Sequence, residues 1–575
     1  MDPANAPVVE MLNQIADILE MTGSDRFRPI AYRRAARTVE ALPKPVAEYI
    51  RDGTISELPG IGDAISQKIK EFVETGKLEY LEGLKKGIPP TLMELLKLQD
   101  MGPKKVGRLY LELGITDMDA LEKACLEHKI RGLRGFGEKT EAKILHSIRF
   151  YRGSRRFLLA EGDQIVEKML CALAPLCTRV DAAGSLRRRK ETIGDLDIIA
   201  ASTNPQAVIE RFVSIEGVEN VLSKGEKKSS ITLSGGMQVD LRVVDGREYG
   251  AALLYFTGSK DHNVELRNLS IEKGFKLNEY GLFKRGSEEV VAGATEEEVY
   301  GALGLDYIVP ELREARGEIQ AAASHKLPHL IEEAQVKGDL HLHTNWSDGS
   351  SSLEEMVAAA KERGYAFAGI ADHSASQRVA NGLSVERMKK QIERVRKLAE
   401  KTVEMRLLCG SEVDILPDGS LDYPDTILKD LDFVIASVHS RFNMEKKEMT
   451  ERIIKAISNE HVTALGHPTG RQLGKREAYA MDTDAVFQEA AEKGVLLEIN
   501  GSPERLDLND SLIIEASKFG GSFLLSTDSH HTTSLSNMRY AVAMARRGWL
   551  TADAVGNTRS TFKAVGSKQR GAAGN

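Results

Sequence analysis

The sequence predicts a multidomain α and α/β protein, helical at its N-terminus and ending in a distorted parallel (βα)7 barrel. Three observations support this fold class. Glycine-rich turns precede helices in the first 150 residues, apolar strand-like runs begin near Phe157, and after Gly338 seven such runs alternate with amphipathic helices. Alternating strands and helices are typical of a parallel barrel whose site lies at the carboxyl ends of the strands.

The size and charge of the chain are those of an ordinary globular protein. Its 575 residues are too many for one hydrophobic core and indicate roughly three to five domains. A net charge of -7 argues against a uniformly basic surface for nucleic acid. It leaves room for local clusters, such as the basic run RRRK at 187–190.

The number of cysteines and the N-terminal segment indicate the cellular compartment. The four cysteines form no CxxC pair, and so few in a chain of this length suit a reducing cytoplasm. The segment MDPANAPVVE lacks the basic residues and apolar core of a signal peptide, and no run is long enough to span a membrane. We expect a cytoplasmic, soluble protein that makes no membrane contact.

Three segments of the N-terminal region share one pattern: an apolar residue, then Gly-x-Gly or Gly-Pro, then a predicted helix. They are LPGIG at 58–62, MGPKK at 101–105 and LRGFGEK at 133–139. Glycines at a helix start leave backbone amides free to bind a phosphate whatever the base sequence. One such segment is as well explained by a turn between packed helices, but three favour DNA binding. The pattern resembles the helix-hairpin-helix motif, and the candidate DNA contacts are Gly60, Gly62, Gly102, Gly135 and Gly137.

Two segments of the middle region predict a metal site made of carboxylates. Asp195 and Asp197 are two residues apart in GDLDII, so on a strand their side chains point to the same face. In MQVDLRV, polar and apolar residues alternate, which places Asp240 on a polar strand face too. Three converging carboxylates are hard oxygen ligands, suited to Mg²⁺ that also coordinates substrate phosphates.

The residues around these carboxylates resemble a known family. GSLRR at 184–188 offers a turn, a hydroxyl and cations for a triphosphate, and YFTGS follows at 255–259. With the three aspartates, these segments resemble the family X DNA polymerases, of the polymerase beta type, from the N-terminus to about residue 315. The resemblance implies that Asp195, Asp197 and Asp240 bind Mg²⁺ or Mn²⁺, with Asp240 best placed to activate the primer hydroxyl.

The same resemblance implies which residues meet the incoming deoxynucleoside triphosphate. Ser185 and Arg188 would hold its phosphates, and the two aromatic residues of YFTGS would line its sugar pocket. Asn263 would meet the minor-groove edge of the base, and Arg267 the template side. The full set is Gly184, Ser185, Arg188, Gly194, Tyr255, Phe256, Gly258, Asn263 and Arg267.

The first helix-hairpin-helix segment matches the lyase domain of these polymerases. By that resemblance Lys68 is a candidate Schiff-base lysine, and Tyr32 lies in the nearby pocket. A lysine attacks a sugar aldehyde only if its pKa is lowered by burial or neighbouring charge, which the sequence does not show. The alternative is that Lys68 contacts a 5'-phosphate.

A second set of metal-type ligands follows a polar, Ala- and Glu-rich connector at 311–335. Each apolar run after it ends near such a ligand or at Asn500, and helices are predicted between the runs, for example at 353–363 and 385–401. Imidazole with carboxylate suits Zn²⁺ or Mn²⁺ more than Mg²⁺. Any one of these side chains could be structural, but nine at the same ends of successive strands predict a metal cluster: His341, His343, Asp348, His373, Glu412, His439, His467, Asp528 and His530.

This cluster resembles that of the PHP (polymerase and histidinol phosphatase) domain. The resemblance implies up to three Mn²⁺ or Zn²⁺ ions. The first would be held by His341, His343, Glu412 and Asp528. The second would share Glu412 and add His439 and His467, and the third would be held by Asp348, His373 and His530. Such a cluster activates a bound water and neutralises phosphate oxygens, so it hydrolyses phosphoesters.

Together the two resemblances divide the chain into six parts. These are a lyase-like helix-hairpin-helix domain (1–85), a fingers-like helical domain (86–150), a nucleotidyltransferase palm with a mixed sheet (151–245), a thumb-like domain (246–315), a linker (316–336) and a PHP barrel (337–575). The implied protein is a monomer that binds gapped or nicked DNA carrying a 5'-phosphate and takes deoxynucleoside triphosphates.

The implied function is the filling of short gaps in DNA repair, with hydrolysis at the second site as a 3'-5' exonuclease, 3'-phosphatase or abasic-site endonuclease. Because no ligand is shared, we expect each site to work without the other. Two alternatives stay open. One is a PHP phosphatase of a small phosphorylated metabolite with a degenerate polymerase half, and the other is a DNA-end-binding scaffold with both sites idle.

Overall fold

The computed structural model describes residues 5–559, except 24–27, 41, 43, 99–100, 134 and 153–155. The chain forms two compact units, Met1–Arg155 and Arg156–Asn575. Arg134, in the third glycine-rich segment, lies outside the described residues. Among the described helices, none combines the length and apolar character needed to cross a membrane.

The first unit is helical, which confirms the prediction from its glycine-rich segments. It has its own apolar core, in which Ile15, Leu92 and Leu121 are fully buried. Three of its helices begin at the residue after a hairpin glycine, namely after Gly62, Gly102 and Gly137. The helices are α1 (Ala6–Thr22), α2 (Arg28–Glu40), α3 (Val46–Arg51), α4 (Asp63–Thr75), α5 (Glu79–Lys85), α6 (Pro103–Leu113), α7 (Met118–Leu126) and α8 (Glu138–Arg152).

The second unit begins with the predicted mixed sheet. Its elements are β1 (Phe157–Leu158), α9 (Leu159–Leu173), β2 (Arg179–Ala182), α10 (Gly184–Arg187), β3 (Thr192–Ile193), β4 (Asp195–Ala201), α11 (Pro205–Val213), β5 (Val218–Lys224), β6 (Lys228–Leu233) and β7 (Gln238–Val244). The five-stranded sheet has the order β2-β4-β7-β6-β5. β4 and β7 are parallel, whereas the other neighbours are antiparallel. Alternate residues of β7 are buried, which leaves Asp240 on the more exposed face.

A smaller helical and antiparallel region follows the mixed sheet. It contains α12 (Tyr249–Thr257), α13 (Lys260–Glu272), β8 (Phe275–Asn278), β9 (Gly281–Lys284), β10 (Val290–Ala292) and α14 (Glu296–Ala302). The connector contains α15 (Glu318–Ala323), and its Ile319 and Ala322 are buried in the core of this region. The connector is therefore packed along part of its length and is not an exposed tether.

The rest of the second unit is the predicted parallel barrel. Its strands are β11 (Gly338–Leu342), β12 (Phe367–Ile370), β13 (Arg406–Asp414), β14 (Phe433–Ser437), β15 (Ala464–Leu465), β16 (Leu496–Asn500) and β17 (Phe523–Ser526), paired in that order. Its helices are α16 (Leu353–Glu362), α17 (Val385–Ala399), α18 (Asp425–Leu428), α19 (Lys446–Ile457), α20 (Thr483–Lys493), α21 (Asp510–Lys518) and α22 (Met538–Arg547). The barrel closes where Leu342 bridges Ser529 in parallel.

The interior of the barrel is filled by side chains. Phe433 lies there with Leu340, Leu408 and Leu524. A Cβ atom at Gly410 would lie 2.3 Å from the Phe433 ring, so the glycine makes room for that ring. The barrel is therefore a packed core, and the site can lie only at its end.

Candidate functional site

The three aspartates of the middle region lie on the two parallel neighbours β4 and β7. Asp197 pairs directly with Asp240, and Asp195 pairs with Gln238. The Gln238 side-chain amide donates to both carboxylate oxygens of Asp240, at 3.3 Å each. The parallel register therefore brings the predicted carboxylates together near the N-terminal ends of two central strands.

These carboxylates repel one another. Burial, followed by the charges of Asp195 and Asp240, raises the pKa of Asp197 to about 7. Burial and the charge of Asp240 also raise the pKa of Asp195. A divalent cation relieves this repulsion, and the donor set is all oxygen, so the residues present fit Mg²⁺ or Mn²⁺.

The start of α10 lies directly against Asp197. Gly184 has a φ of +62°, and a Cβ atom there would lie 2.4 Å from Oδ2 of Asp197. The backbone N–H of Ala183 donates to the carbonyl of Asp197 at 2.8 Å. Ser185 is half-buried in the first turn of α10, and Gly194 leads into β4. Gly184 therefore lets the predicted phosphate-binding turn approach the carboxylates closely.

The two arginines that follow have different surroundings. Arg187 makes a two-point ion pair with Glu296, at 2.8 and 2.6 Å, and Arg313 donates to the same carboxylate at 2.7 Å. Although burial opposes it, these two cations hold the pKa of Glu296 at about 2. Arg188 instead lies close enough to Asp197 to lower that carboxyl's pKa. Both terminal nitrogens of Arg187 donate to Glu296, whereas Arg188 pairs with Glu314 through Nε and remains the candidate for binding a triphosphate.

The predicted sugar and base contacts lie on α12 and α13. Tyr255 is exposed, and its ring meets that of Phe256 edge-on at 5.1 Å. Gly258 ends α12 beside Arg188, because a Cβ there would lie 3.1 Å from the Arg188 Nη1. Asn263 donates to the carbonyl of Tyr255 at 2.7 Å, and the exposed Arg267 lies one helical turn further on. Gly258 thus brings the end of α12 beside Arg188, and Asn263 ties α13 to α12.

The second candidate site lies at the carboxyl ends of the barrel strands. Three groups of its side chains have ligand atoms within 4.8 Å of one another. The groups are His343, Asp348, His373 and His530; then His341, His343 and Asp528; then His373, Glu412 and His439. His467 joins them through Glu412, 2.8 Å away. All nine predicted ligands therefore meet, although His343 and His373 each belong to two groups.

The chemistry of these ligands fits a metal centre. Both ring nitrogens of His343 are buried and form no aligned hydrogen bond with any described residue. Burial and the imidazoles of His530 and His373 lower the pKa of His343 to about 3, which keeps it in the neutral, ligating form. The charges of His439 and His373 outweigh burial and hold the pKa of Glu412 well below its ordinary value. Buried, unpartnered nitrogens beside an ionised carboxylate are suited to Zn²⁺ or Mn²⁺.

The structure adds residues that the sequence reasoning missed. Glu498 accepts from Nδ1 of His341 at 2.5 Å and from the Ser526 hydroxyl at 2.5 Å. Asp414 lies 2.6 Å from Nδ1 of His439. Both carboxylates orient a histidine and fix which of its nitrogens is free to ligate. The signal for each was a charged residue two positions from a strand-end residue, Glu498 before Asn500 and Asp414 after Glu412.

A cavity of about 240 Å³ opens onto this centre. Besides the ligands it is lined by Gln377, Val379, Ala380 and Arg505. Nε of Arg505 lies 3.4 Å from Oδ2 of Asp528, and its Nη1 is buried with no hydrogen-bond partner in the described part of the chain. The cavity thus combines metal-type ligands with a cation, which suits a phosphate-bearing substrate.

Comparisons with known proteins identify the domains and the family of this chain. Family models match a helix-hairpin-helix domain at residues 3–78, a SAM-like helix-hairpin-helix tandem at 92–149, the DNA polymerase beta thumb at 252–314 and a PHP domain at 339–502. The chain is 38% identical over 559 residues to the "DNA polymerase/3'-5' exonuclease PolX" of Bacillus subtilis (strain 168), covering 96% of this chain and 97% of that protein. The chain belongs to the family X DNA polymerases that carry a PHP domain.

More distant relatives match about half of the chain. DNA polymerase lambda of Rattus norvegicus is 27% identical over 342 residues, which is 54% of this chain and 56% of that protein. DNA polymerase lambda of Arabidopsis thaliana is 26% identical over 344 residues, 54% of this chain and 62% of that protein. The thumb model covers α13, α14 and most of α12, and the PHP model runs along the barrel from β11 to β16. We refer to the mixed-sheet region below as the palm, the domain that the family resemblance predicts there.

In the first unit of this family X chain, the hairpin glycines lie at turns and helix starts, whereas Lys68 lies on a helix beside an aromatic ring. Gly60 has a φ of +83°, and Gly62, Gly102 and Gly137 directly precede α4, α6 and α8. Lys68 on α4 donates to the carbonyl of Ala64 at 3.1 Å. Its ammonium lies 4.8 Å from the centre of the Tyr80 ring, which stacks with Tyr32. Tyr80 is a neighbour that the sequence reasoning did not identify.

Proposed function

We propose that this protein is a DNA-directed DNA polymerase that fills short gaps during repair and also a PHP-domain 3'-5' exonuclease. The observation that carries the proposal is the presence, in one chain, of the three palm aspartates on paired strands and of nine ligands at the barrel end. The printed name of the full-length relative, which includes both activities, supports it.

At the polymerase site, Asp195, Asp197 and Asp240 would hold Mg²⁺ or Mn²⁺. Bound cations there would lower the pKa of the primer 3'-hydroxyl and neutralise charge on the leaving pyrophosphate. Asp240 accepts the proton as the 3'-oxygen forms its bond to the α-phosphorus. Arg188 and Ser185 hold the triphosphate, and the Tyr255–Phe256 pair positions the sugar.

At the PHP site, the nine ligands would hold up to three Mn²⁺ or Zn²⁺ ions. Bound metal there would supply a hydroxide near neutral pH and screen the scissile phosphate. Glu498 and Asp414 orient the ligating histidines, and Arg505 binds a phosphate oxygen of the strand being cut. Exonuclease action is the proposed form of this hydrolysis, with 3'-phosphatase or abasic-site endonuclease as its variants.

For partners, we propose gapped or nicked DNA with a 5'-phosphate, bound by the helix-hairpin-helix glycines, and a monomer in the cytoplasm. A phosphatase of a small phosphorylated metabolite is the second candidate, because the 240 Å³ cavity would also hold such a molecule.

One assay distinguishes these functions. A labelled primer in a gapped duplex is incubated with Mn²⁺, with and without deoxynucleoside triphosphates, beside a parallel assay on histidinol phosphate. We expect extension to fill the gap when nucleotides are present and shortening from the 3' end when they are absent. Release of phosphate from histidinol phosphate without any change in primer length would contradict the proposal.

A further inference from the structure

An arginine of the PHP barrel reaches the nucleotide-binding turn of the palm. Arg547 is the last residue of α22 and is 2% exposed. Its Nη1 donates to the backbone carbonyl of Arg188 at 2.5 Å and to Oε1 of Glu314 at 3.1 Å. Its Nη2 donates to Asp510, at the start of α21. The guanidinium therefore connects two barrel helices to the residue that is proposed to bind the triphosphate.

Glu314 connects Arg547 to the side chain of Arg188. Oε1 of Glu314 accepts from Nε of Arg188 at 3.0 Å, on the same oxygen that meets Arg547. Nη1 of Arg188 donates to the carbonyl of Thr257 in the thumb. These two bonds fix the plane of the Arg188 guanidinium. Its Nη2 has no hydrogen-bond partner among the described residues, so this nitrogen is free to meet a triphosphate oxygen.

The contact is buried enough to have an energetic effect. The side chains of Glu314 and Arg188 are 14% and 13% exposed, so solvent screens their charges poorly. Although burial opposes it, the charges of Arg547 and Arg188 hold the pKa of Glu314 below its ordinary value. Without Arg547, Glu314 would lose the first of the three cations that lower its pKa, with Arg188 and Lys190 remaining. It would then draw Arg188 more strongly toward itself and away from the triphosphate.

We propose that Arg547 is a positioning residue for the polymerase: from the PHP barrel, it holds Glu314 and the Arg188 backbone so that Arg188 presents Nη2 to the incoming nucleotide. The inference rests on the proposed function. It means that the barrel takes part in nucleotide binding although the two sites share no ligand. Loss of Arg547 should weaken binding of the nucleotide more than it slows the chemical step.

The test measures nucleotide binding separately from catalysis. Full-length wild type, Arg547→Ala, Arg547→Lys and Glu314→Gln are saturated with gapped DNA whose primer ends in a dideoxynucleotide, and the Kd of the matching deoxynucleoside triphosphate is measured by calorimetry. Arg546→Ala is the matched control, because Arg546 also joins α22 to the thumb end, through Glu311 at 2.7 Å, but has no bond to Arg188 or Glu314. Thermal unfolding checks that each variant is folded, and steady-state kinetics give KM and kcat.

We expect Arg547→Ala to raise the nucleotide Kd about fivefold or more, Arg547→Lys to raise it less, and Arg546→Ala to leave it unchanged. Arg547→Ala should add little to a chain that already carries Glu314→Gln, because both act through one carboxylate. If Arg547→Ala fails to fold, the inference is tested by comparing the nucleotide Kd of Arg547→Lys and Glu314→Gln with that of Arg546→Ala.

A wild-type Kd in the folded Arg547 variants, or an equal loss in Arg546→Ala, would overturn this inference and leave the proposed function standing. A wild-type protein that does not bind the nucleotide at all would instead overturn the proposed polymerase function, and the inference with it.

Discussion

At the scale of single residues, each site depends on neighbours that position a reacting group. Gly184 leaves space beside Asp197, and Glu498 fixes the ring of His341 from a strand 157 positions away. Neither neighbour is among the predicted metal ligands. Changing either one should therefore disturb the geometry of one site and leave the other site intact.

Replacing Gly184 by Ala should impair synthesis. The new Cβ would lie 2.4 Å from the Asp197 carboxylate and would require a φ of +62°, which L-residues disfavour. We expect primer extension to fall by about 100-fold, since a misplacement near 1 Å has that effect. Gly217→Ala is the matched control, because it has a φ of +93° but nothing within 4 Å. An equal loss in both variants would show that backbone strain alone is responsible.

Replacing Glu498 by Gln should weaken the PHP metal centre. The neutral amide loses the charge that holds Nδ1 of His341 and turns its Nε2 toward the other ligands. Such changes lower metal affinity by about 10–100-fold. Calorimetric titration with Mn²⁺ measures the effect, and Glu492→Gln on the exposed face of α20 is the control. Unchanged Mn²⁺ affinity would show that Glu498 does not position His341 for metal binding.

Some residues of the two sites can be predicted from the sequence and others cannot. Asp195, Asp197 and Asp240 could be selected because strand alternation has a fixed period, and most barrel ligands because they lie at or near the end of an apolar run. Glu498, Asp414 and Arg505 were missed, since their meaning depends on which distant side chain they touch. Arg188 and Arg187 looked alike in sequence and differ only through Glu314 and Glu296.

At the scale of elements, the sequence predicted the positions of helices better than it predicted which strands pair. The predicted helix at 353–363 corresponds to α16, where Ser352 accepts from the Glu355 N–H, and the one at 385–401 to α17, which starts after Ser384. Which strands pair, and in which register, was beyond the sequence, since the β4–β7 pairing joins segments 43 residues apart (240 − 197). β15 has only two residues, and the apolar run before His467 nevertheless predicted a strand there.

The helix α4 provides a prediction of its own. If Lys68 is a Schiff-base lysine, borohydride should trap the wild-type protein on an incised abasic site, and Lys68→Ala should give no adduct. Lys70→Ala, on the same helix, should still be trapped. An adduct of equal yield in Lys68→Ala would show that Lys68 is not the Schiff-base lysine, which leaves contact with the 5'-phosphate as its role. In that case removing the 5'-phosphate from the gap should weaken binding of the wild type more than of the variant.

At the scale of the whole molecule, the second unit contains both candidate sites. Its palm and barrel share a continuous apolar core, and the ion pair of Arg471 with Glu191, at 2.7 Å, adds to the contact between them. A chain cut near residue 320 would lose this packing and Arg547 as well. Point variants therefore test the separation of the sites more cleanly than truncation does.

The most direct test of two separate metal sites compares two double variants on one labelled gapped duplex in Mn²⁺. His341→Ala with His343→Ala should lose most of the 3'-end hydrolysis and keep gap filling near the wild-type rate, because the palm carboxylates bind their own ions. Asp195→Ala with Asp197→Ala should abolish synthesis and leave hydrolysis intact. A histidine variant that keeps its nuclease activity and loses synthesis would contradict the account.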